Sequence, residues 1–543
     1  MAANRLQTLN VGDFRGGINL RADAFQLAEN EVQLCLNVEI DARGGFRSRK
    51  GWEQWGDTSG EPDWDPRAMC AQVFGTTEKV MVANKASYTG GGATKGTVLE
   101  SDDGTFTPIL VGANPLVCGA EPHMADFAQW GDLVYIACGH DEQTAKWTGT
   151  GAATLATAAA AANWSPDYTA PGTAVFPKAD IVATHFGYMF AASTNEDSTD
   201  YPHRVRWSHP NDPEHWAELD RLDIRTGGSR ITALVSFADH LLIFKTDSIW
   251  RLDGYDSDSF QLSNVSLRLG APHRQAVAVA EDRVYFFSYP HGVYEYAESG
   301  LFEVSEQLRP GITSDGFNGA ALNNVWLAYV GQRLWANVPF SLTTSPSDAY
   351  TSLVLDRTLS ERGSWVAFRG AGDVTVGPMV ETLTSDQVYA AVRGLETVVA
   401  LEALEDAVDD LAGTETAFVS YLETRWFDAG WPTRKKSWRR PDFIVKDTES
   451  THIIQVGVFQ DFDESTPKKA FPLNIPQRTS GFVWDDFVWD DGSLWGGQVA
   501  GSRPIRGNAF GLCSSVRLRF DGPSGLRWGV DAFVLKYILK RLK

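Results

Sequence analysis

The sequence predicts an all-β protein: a β-propeller-like array of antiparallel blades followed by a C-terminal β-sandwich. Three observations carry this. First, apolar residues alternate at period two between Asp/Gly turns, most clearly from Leu241 to Glu303. Second, a polar turn residue followed by a short apolar or aromatic strand recurs at Lys79-Val80, Asp132-Leu133, Gly187-Tyr188, His240-Leu241, Arg283-Val284, Arg333-Leu334 and Gln387-Val388. Successive copies stand about 50 residues apart, a period that suits one blade of several short strands. Third, 50 glycines and few helical patterns favour strands and tight turns. An irregular β-sandwich with hairpins is the competing architecture, since the copies share pattern and not letters.

Residues 1–57 read as a leader that packs on the body. Gly16-Gly17 and Gly44-Gly45 permit tight turns. Leu27 to Glu31 suggests a short helical turn, and Leu34, Leu36, Val38 and Ile40 alternate as a strand. Arg43, Arg47, Arg49 and Lys50 make its end basic, but the spacing of a phosphate-binding loop is missing. The leader has little core of its own and is expected to pack on a later blade or on the C-terminal domain.

Residues 58–412 form the propeller-like region. Two antiparallel units meet within Leu241–Glu303: LLIFK, then a strand Ser248 to Leu252, then AVAVA, VYFFS and VYEYA. Gly90-Gly91-Gly92, the Ala-rich run 152–162 and the segment 148–176 read as loops on the ring. The run 395–413, LETVVALEALEDAVDDLAG, places Leu401, Leu404, Val408 and Leu411 at three- and four-residue steps, which predicts a helix capped by Gly413. Residues 413–543 form the sandwich, in which Val456, Val458, Val516, Leu518 and Phe520 alternate with polar residues. The sandwich contains a near-duplication, Phe482 to Asp486 and Phe487 to Asp491, and ends in a basic, amphipathic tail.

Charge divides along the chain. Residues 413–543 hold 19 Lys+Arg against 15 Asp+Glu, which leaves 29 against 54 before Gly413 out of 48 and 69 in the whole. Net acidity opposes sequence-specific DNA binding, which needs cations on phosphates. Cys35, Cys70, Cys118, Cys138 and Cys513 are scattered without a C-x-x-C pair, which suits reduced thiols and neither a disulfide framework nor a zinc site. The N-terminus lacks the apolar core of a signal peptide, and no run suits a membrane anchor.

Candidate chemistry is weighed and set aside. His203, His209 and His215 with Asp212 are spaced six apart across prolines, which fits no usual metal motif; a loop capped by Trp207 and Trp216 explains them better. Ser101-Asp102-Asp103-Gly104-Thr105-Phe106 approaches the Asp-box of sialidase propellers but lacks a spacer residue and occurs once. Asp461, Asp463 and Glu464 sit in a surface turn. Neither a nucleophile elbow nor H-E-x-x-H is present. The expectation is a non-enzyme with no catalytic, cofactor-binding or metal residue and no cofactor.

Several stretches resemble tail proteins of tailed bacteriophages. In the leader these are Phe14-Arg15-Gly16-Gly17-Ile18-Asn19, Leu27-x-x-Asn30-Glu31, Leu36-Asn37-Val38, Asp41-x-x-Gly44 and Arg47-x-Arg49-x-Gly51. Leu241 to Trp250, Leu269-Gly270, Gly292 to Tyr296, and Trp426-Phe427-Asp428-x-Gly430-x-Pro432-x-x-Lys435-Lys436 resemble the same proteins. That family includes the propeller-containing nozzle or tubular proteins of short-tailed phages. The resemblance implies a structural virion protein of the tail, assembled in the host cytoplasm. It implies a homo-oligomeric ring, six subunits being typical, that meets other tail or adaptor proteins and conducts and retains DNA until genome ejection. DNA would pass without sequence-specific binding, along an acidic wall supplied by the part of the chain before Gly413. A host-surface carbohydrate binder or depolymerase on a propeller scaffold is the alternative, which repeated Asp-boxes would favour.

Overall fold

A computed structural model describes residues 5–57, 64–88, 95–119, 125–157, 164, 175–226, 228–309, 312, 319–338, 351–393, 395–411, 413–446, 448, 450–476 and 502–540. The glycine run at 90–92, the near-duplication at 482–491 and most of 148–176 lie outside these residues. Among the described residues every long element is a strand, and the helical turns are short 3₁₀ pieces.

Among the described residues seven antiparallel sheets stand in a ring. Their first strands are Pro66–Phe74, Asp126–Trp130, Lys178–His185, Ile231–Phe237, Val277–Val279, Trp326–Val330 and Val376–Glu381. Each first strand packs on the first strand of the next sheet, and the seventh packs on the first, which closes the ring. The fourth blade shows the pattern. Ile231–Phe237, His240–Lys245, Ile249–Asp253 and Gln261–Ser266 meander antiparallel, with Val235 opposite Leu242 and Leu242 opposite Arg251. Every turn marker read from the sequence sits at or near the head of the second strand of a blade: Thr77–Tyr88, Leu133–Ala137, Tyr188–Glu196, His240–Lys245, Val284–Ser288, Arg333–Val338 and Val388–Val392.

Blades share their cores. Phe244 of the fourth blade meets Phe286 of the fifth at 5.4 Å between ring centroids. Val80, Val82 and Leu99 of the first blade pack with Ala391 and Val398 of the seventh. No blade could bury both faces alone, so the ring is the folding unit.

The described residues of 395–413 form no helix, contrary to the sequence expectation. Thr397–Leu404 is a strand, and Gly51–Asp57 of the leader pairs with it as the outer strand of the seventh blade. The register shifts between Ala400 and Leu404, and Glu402 has φ +57°. Such a bulge resets which face a side chain takes, so a strand with an irregularity imitates a three-to-four-residue period. Leu27 to Glu31 is likewise a turn, closed by Glu31 N–H donating to Ala28 O at 3.2 Å. The expected leader strand is two, Glu31–Leu36 and Val38–Ile40, broken at Asn37 with φ +54°.

The sheets cross the boundaries at residues 57 and 412. The sixth blade extends through Ser364–Phe368 to Gly17–Ile18, Glu31–Leu36, Tyr421–Thr424, Val516–Asp521, His452–Gln460 and Lys469–Ile475, a single ten-stranded sheet. Gly17 lies opposite Trp365 with φ +67°, and a Cβ there would stand 2.6 Å from Trp365 N. A second sheet centred on Gly529–Leu539 takes in Gln7–Val11, Phe46–Ser48, Lys436–Trp438 and Asp442–Lys446. The two sheets face each other through Phe520 of the first and Phe46, Phe443 and Phe533 of the second, with centroid separations of 5.4 to 5.8 Å. The leader is thus built into both the sandwich and the last blade.

Candidate functional site

Two regions gather polar chemistry: the mouth of the propeller axis, and the joint between propeller and sandwich. Residues at or near the heads of the first strands reach one another across blades. Asp126 leads the second blade and is buried. Its Oδ1 accepts from Phe127 N–H and its Oδ2 from Val182 N–H, both at 3.1 Å. Arg274, in the connection to the fifth blade, brings Nε to 3.6 Å from Oδ1. Burial raises the Asp126 pKa, and Arg274 opposes that rise. Gln275 reaches from the fifth blade to donate Nε2–H to Ala125 O at 3.4 Å. Beside this bridge lies a cavity of about 170 Å³ bordered by Cys70, Asp126, Arg274, Gln275, Trp326 and Met379.

Asp180 of the third blade is saturated. Oδ1 accepts from His140 N–H at 2.8 Å and faces His140 Nδ1 at 2.9 Å; Oδ2 accepts from Ser193 Oγ and Arg230, each at 2.7 Å. The Asp180 carboxylate raises the His140 pKa. Arg67 donates to Asp65 at 2.6 Å and to Asn324 Oδ1 at 3.0 Å, and Arg393 stands 3.5 Å from Asp65. Among the described residues Arg67, Arg230, Arg274 and Arg393 stand with Asp65, Asp126 and Asp180 at this mouth. The axis of the propeller is therefore bridged. These clasps hold neighbouring blades together and occupy the carboxylates with donors.

The joint is the second region. Arg49 and Asp409 are 1% and 0% exposed and pair bidentately at 2.8 and 2.7 Å. Arg49 also donates to Asn37 Oδ1, Lys50 O and Arg369 O. Asp409 accepts from Trp52 N–H at 3.0 Å and Ala371 N–H at 2.9 Å. The guanidinium lies between Trp52 and Phe418, at 4.0 and 3.8 Å from their ring centroids. Both ions have their polar atoms satisfied, the condition under which a buried pair is tolerated. Asn37 completes the joint: Oδ1 also accepts from Arg369 N–H at 2.8 Å, and Nδ2 donates to Val419 O at 2.8 Å.

Several residues singled out in the sequence have structural work here. Asn19 Nδ2 donates to Glu31 Oε1 at 2.9 Å, and Glu31 Oε2 accepts from Ala28 N–H. Buried Lys245 gives its ammonium to Ile224 O and Thr226 O at 3.0 and 2.7 Å. Buried Lys436 donates to Trp431 O, Arg434 O and Ser514 O at 2.5, 2.9 and 2.6 Å. Burial lowers the pKa of both lysines.

The residues weighed from sequence are not assembled into a reacting centre. His203 Nδ1 meets Ser229 O at 2.9 Å, His209 Nδ1 meets Pro210 O at 3.0 Å, and His215 pairs with Asp212. Trp216 is buried and donates to Pro213 O at 2.9 Å, so this loop is a packed cap. Among the described residues no group of three or more His, Cys, Asp or Glu is placed to hold a metal ion. In the Asp-box-like turn, Ser101 Oγ accepts from Gly104 N–H and Asp103 Oδ1 from Thr105 N–H, both at 2.9 Å. Phe106 packs edge-on against Trp55 of the closing strand. Asp461 accepts from Ser514 N–H at 2.6 Å, Asp463 pairs with Lys468, and Glu464 Oε1 accepts from Trp426 Nε1 at 3.3 Å.

Sequence reasoning missed the Arg49–Asp409 pair, whose partners lie 360 residues apart. It also missed the contact of Cys118 with Cys138 and the Asp126–Arg274 bridge. None leaves a local motif, because each is made by elements that meet only in the folded chain.

No protein-family model and no curated protein matches the chain. Among solved structures, YCF48 bound to D1 peptide is similar at 11% identity and a TM-score of 0.35, over 65% of this chain and 97% of that one. The Neurospora crassa Pan2 WD40 domain matches at 7% identity and 0.36, over 66% and 96%. BBS1N in complex with ARL6DN matches at 7% and 0.36, over 65% and 96%. No helix among the described residues is long and apolar enough to cross a membrane. The chain is a β-propeller joined to a β-sandwich, an assignment that rests on the sheet order and the closure of the ring.

Proposed function

We propose that the chain is a structural subunit of a bacteriophage tail, of the nozzle or tubular kind, that assembles with copies of itself into a ring conducting and retaining DNA. The observation that carries this reading is where the phage-tail-like residues fall. Gly17, Asn37, Arg49, Lys245 and Lys436 hold turns, a buried ion pair and carbonyl clusters, so the resemblance concerns construction of the body. A propeller locked to a sandwich by one continuous sheet suits a load-bearing ring subunit.

In this reading DNA runs between subunits, because Gln275 and Arg274 bridge the propeller's own axis. The wall is acidic surface of the chain before Gly413, and phosphate slides past without being gripped. Retention comes from side chains or loops at a constriction. The more basic C-terminal part docks on an acidic tail or adaptor protein.

Negative-stain imaging of the purified protein and of its parent particle tests the proposal. A homo-oligomeric ring, six-fold in the expected case, and an axial tail position are the predicted results. A monomer with peripheral placement on the particle refutes it. Duplex DNA at about 150 mM salt gives a second check: nonspecific binders show Kd of roughly 10⁻⁴ to 10⁻⁶ M, and this protein is expected to bind more weakly. Micromolar binding with a steep salt slope contradicts a sliding conduit.

A further inference from the structure

Cys118 closes the short strand Val117–Cys118 at the edge of the first blade, and Cys138 follows Leu133–Ala137 of the second. Both are buried, at 4% and 0% exposure, in the core that the two blades share with Met81, Val98, Val134 and Ile136. Their sulfur atoms stand 2.9 Å apart, with the Cys118 thiol donating to Cys138 Sγ. That separation is within about 1 Å of a covalent S–S bond of ~2.05 Å. The backbones are already tied, since Gly119 N–H donates to Cys138 O at 2.7 Å. Cys35, Cys70 and Cys513 make no thiol–thiol contact among the described residues.

We propose that Cys118 and Cys138 are an oxidation site: a hydroperoxide converts the thiol pair into a disulfide that staples the first blade to the second. One thiolate attacks an oxygen of hydrogen peroxide, the O–O bond breaks, and the departing hydroxide takes up the proton the thiol lost and leaves as water, giving a sulfenic acid. The second sulfur displaces the sulfenic oxygen as a second water and forms the S–S bond. Two thiols and one hydrogen peroxide thus give one disulfide and two waters.

The chemistry of the site sets its timing. The hydrogen bond between the two thiols, and then burial, raise the Cys138 pKa well above that of a free thiol. Thiolate is scarce at neutral pH, so oxidation is slow and accelerates as pH rises. A reducing compartment keeps the pair as thiols during folding, and prolonged exposure to oxidant locks it. The bond closes a loop across 20 residues of separation and restrains the unfolded chain most where two blades must find each other.

The test uses the full chain, folded under reducing conditions and then exposed to hydrogen peroxide. Remaining thiols are alkylated in denaturant and the peptides are mapped by mass spectrometry. The expected result is a Cys118–Cys138 cross-linked peptide lighter by two hydrogens, formed faster at pH 8.5 than at pH 7. The thermal midpoint should rise by a few degrees and fall back on reduction. Cys118→Ala should abolish both the cross-link and the shift. Cys118 and Cys138 recovered as unlinked thiols or sulfinic acids after Cys70 has been oxidised overturns the proposal, as does a bond joining other cysteines. Should Cys118→Ala fail to fold, the peptide map of the unsubstituted chain decides the matter.

Discussion

Asp409→Ala is the substitution that most directly interrogates how the leader locks the ring. Removal of the carboxylate leaves Arg49 as an unpaired cation at 1% exposure and takes the acceptor from Trp52 N–H and Ala371 N–H. Breaking a buried ion pair by removing one partner costs about 3–5 kcal/mol. At ~1.4 kcal/mol per decade this is roughly a hundred- to four-thousand-fold rise in the open population of the joint. A chain of 543 residues is not a two-state unfolder, so a global free energy is the wrong readout. Amide hydrogen exchange resolves the joint directly. In Asp409→Ala, exchange in Gly51–Asp57 and Thr397–Leu404 should accelerate by at least about a hundredfold, while Ile231–Phe237 in the fourth blade stays near its original rate. A double-mutant cycle with Arg49→Met separates the pair's coupling from the loss of the backbone acceptors. Exchange within about tenfold of the unsubstituted protein, or equal acceleration in all blades, refutes the argument that this pair holds the closing strand.

Three further outcomes are expected. His185 is buried against Ser236 and near His240, and burial first, then His240, lowers its pKa to about 4. Its stability contribution is therefore complete above the unfolded value of ~6.5 and is lost as pH falls from there towards 4; thermal midpoints between pH 4 and 7 should fall less steeply in His185→Asn, and parallel profiles count against it. In Gly270→Ala the new Cβ would sit 2.1 Å from Lys245 O, so the loss should be about 1–3 kcal/mol by thermal or denaturant melts, larger than for Gly457→Ala, where the nearest heavy atom would be Pro467 Cβ at an ordinary 3.5 Å. Lys436→Met strips a donor from three carbonyls and should cost roughly 3 kcal/mol, and Lys436→Arg should not restore it, because the planar fork cannot replace a point ammonium among three acceptors; an Arg variant that melts like the parent would show that charge alone suffices.

The repeating unit was legible along the chain. Period-two alternation and turn residues act within a few positions, so Asp132-Leu133, Gly187-Tyr188 and their sister pairs mark the second strands of the blades wherever those blades stand. The inward faces of the sandwich were legible as well: Val456, Val458, Val516, Leu518 and Phe520 alternate and are all fully buried. How the ring closes and what sits on its axis emerged only in three dimensions. Gly51–Asp57 finds its partner far along the chain, at Thr397–Leu404, and the bulge at Glu402 gives that partner a helical period in one dimension. Arg49 read as one of several basic residues in a leader, and Asp409 as part of a helix; their pairing exists only where the closing strand meets the sandwich. Cys118 and Cys138 read as scattered thiols until two blades brought their sulfurs together. Local patterning encodes strands and turns because their energetics are short-range, whereas register between distant strands and the partners of buried ions are set by packing over the whole ring.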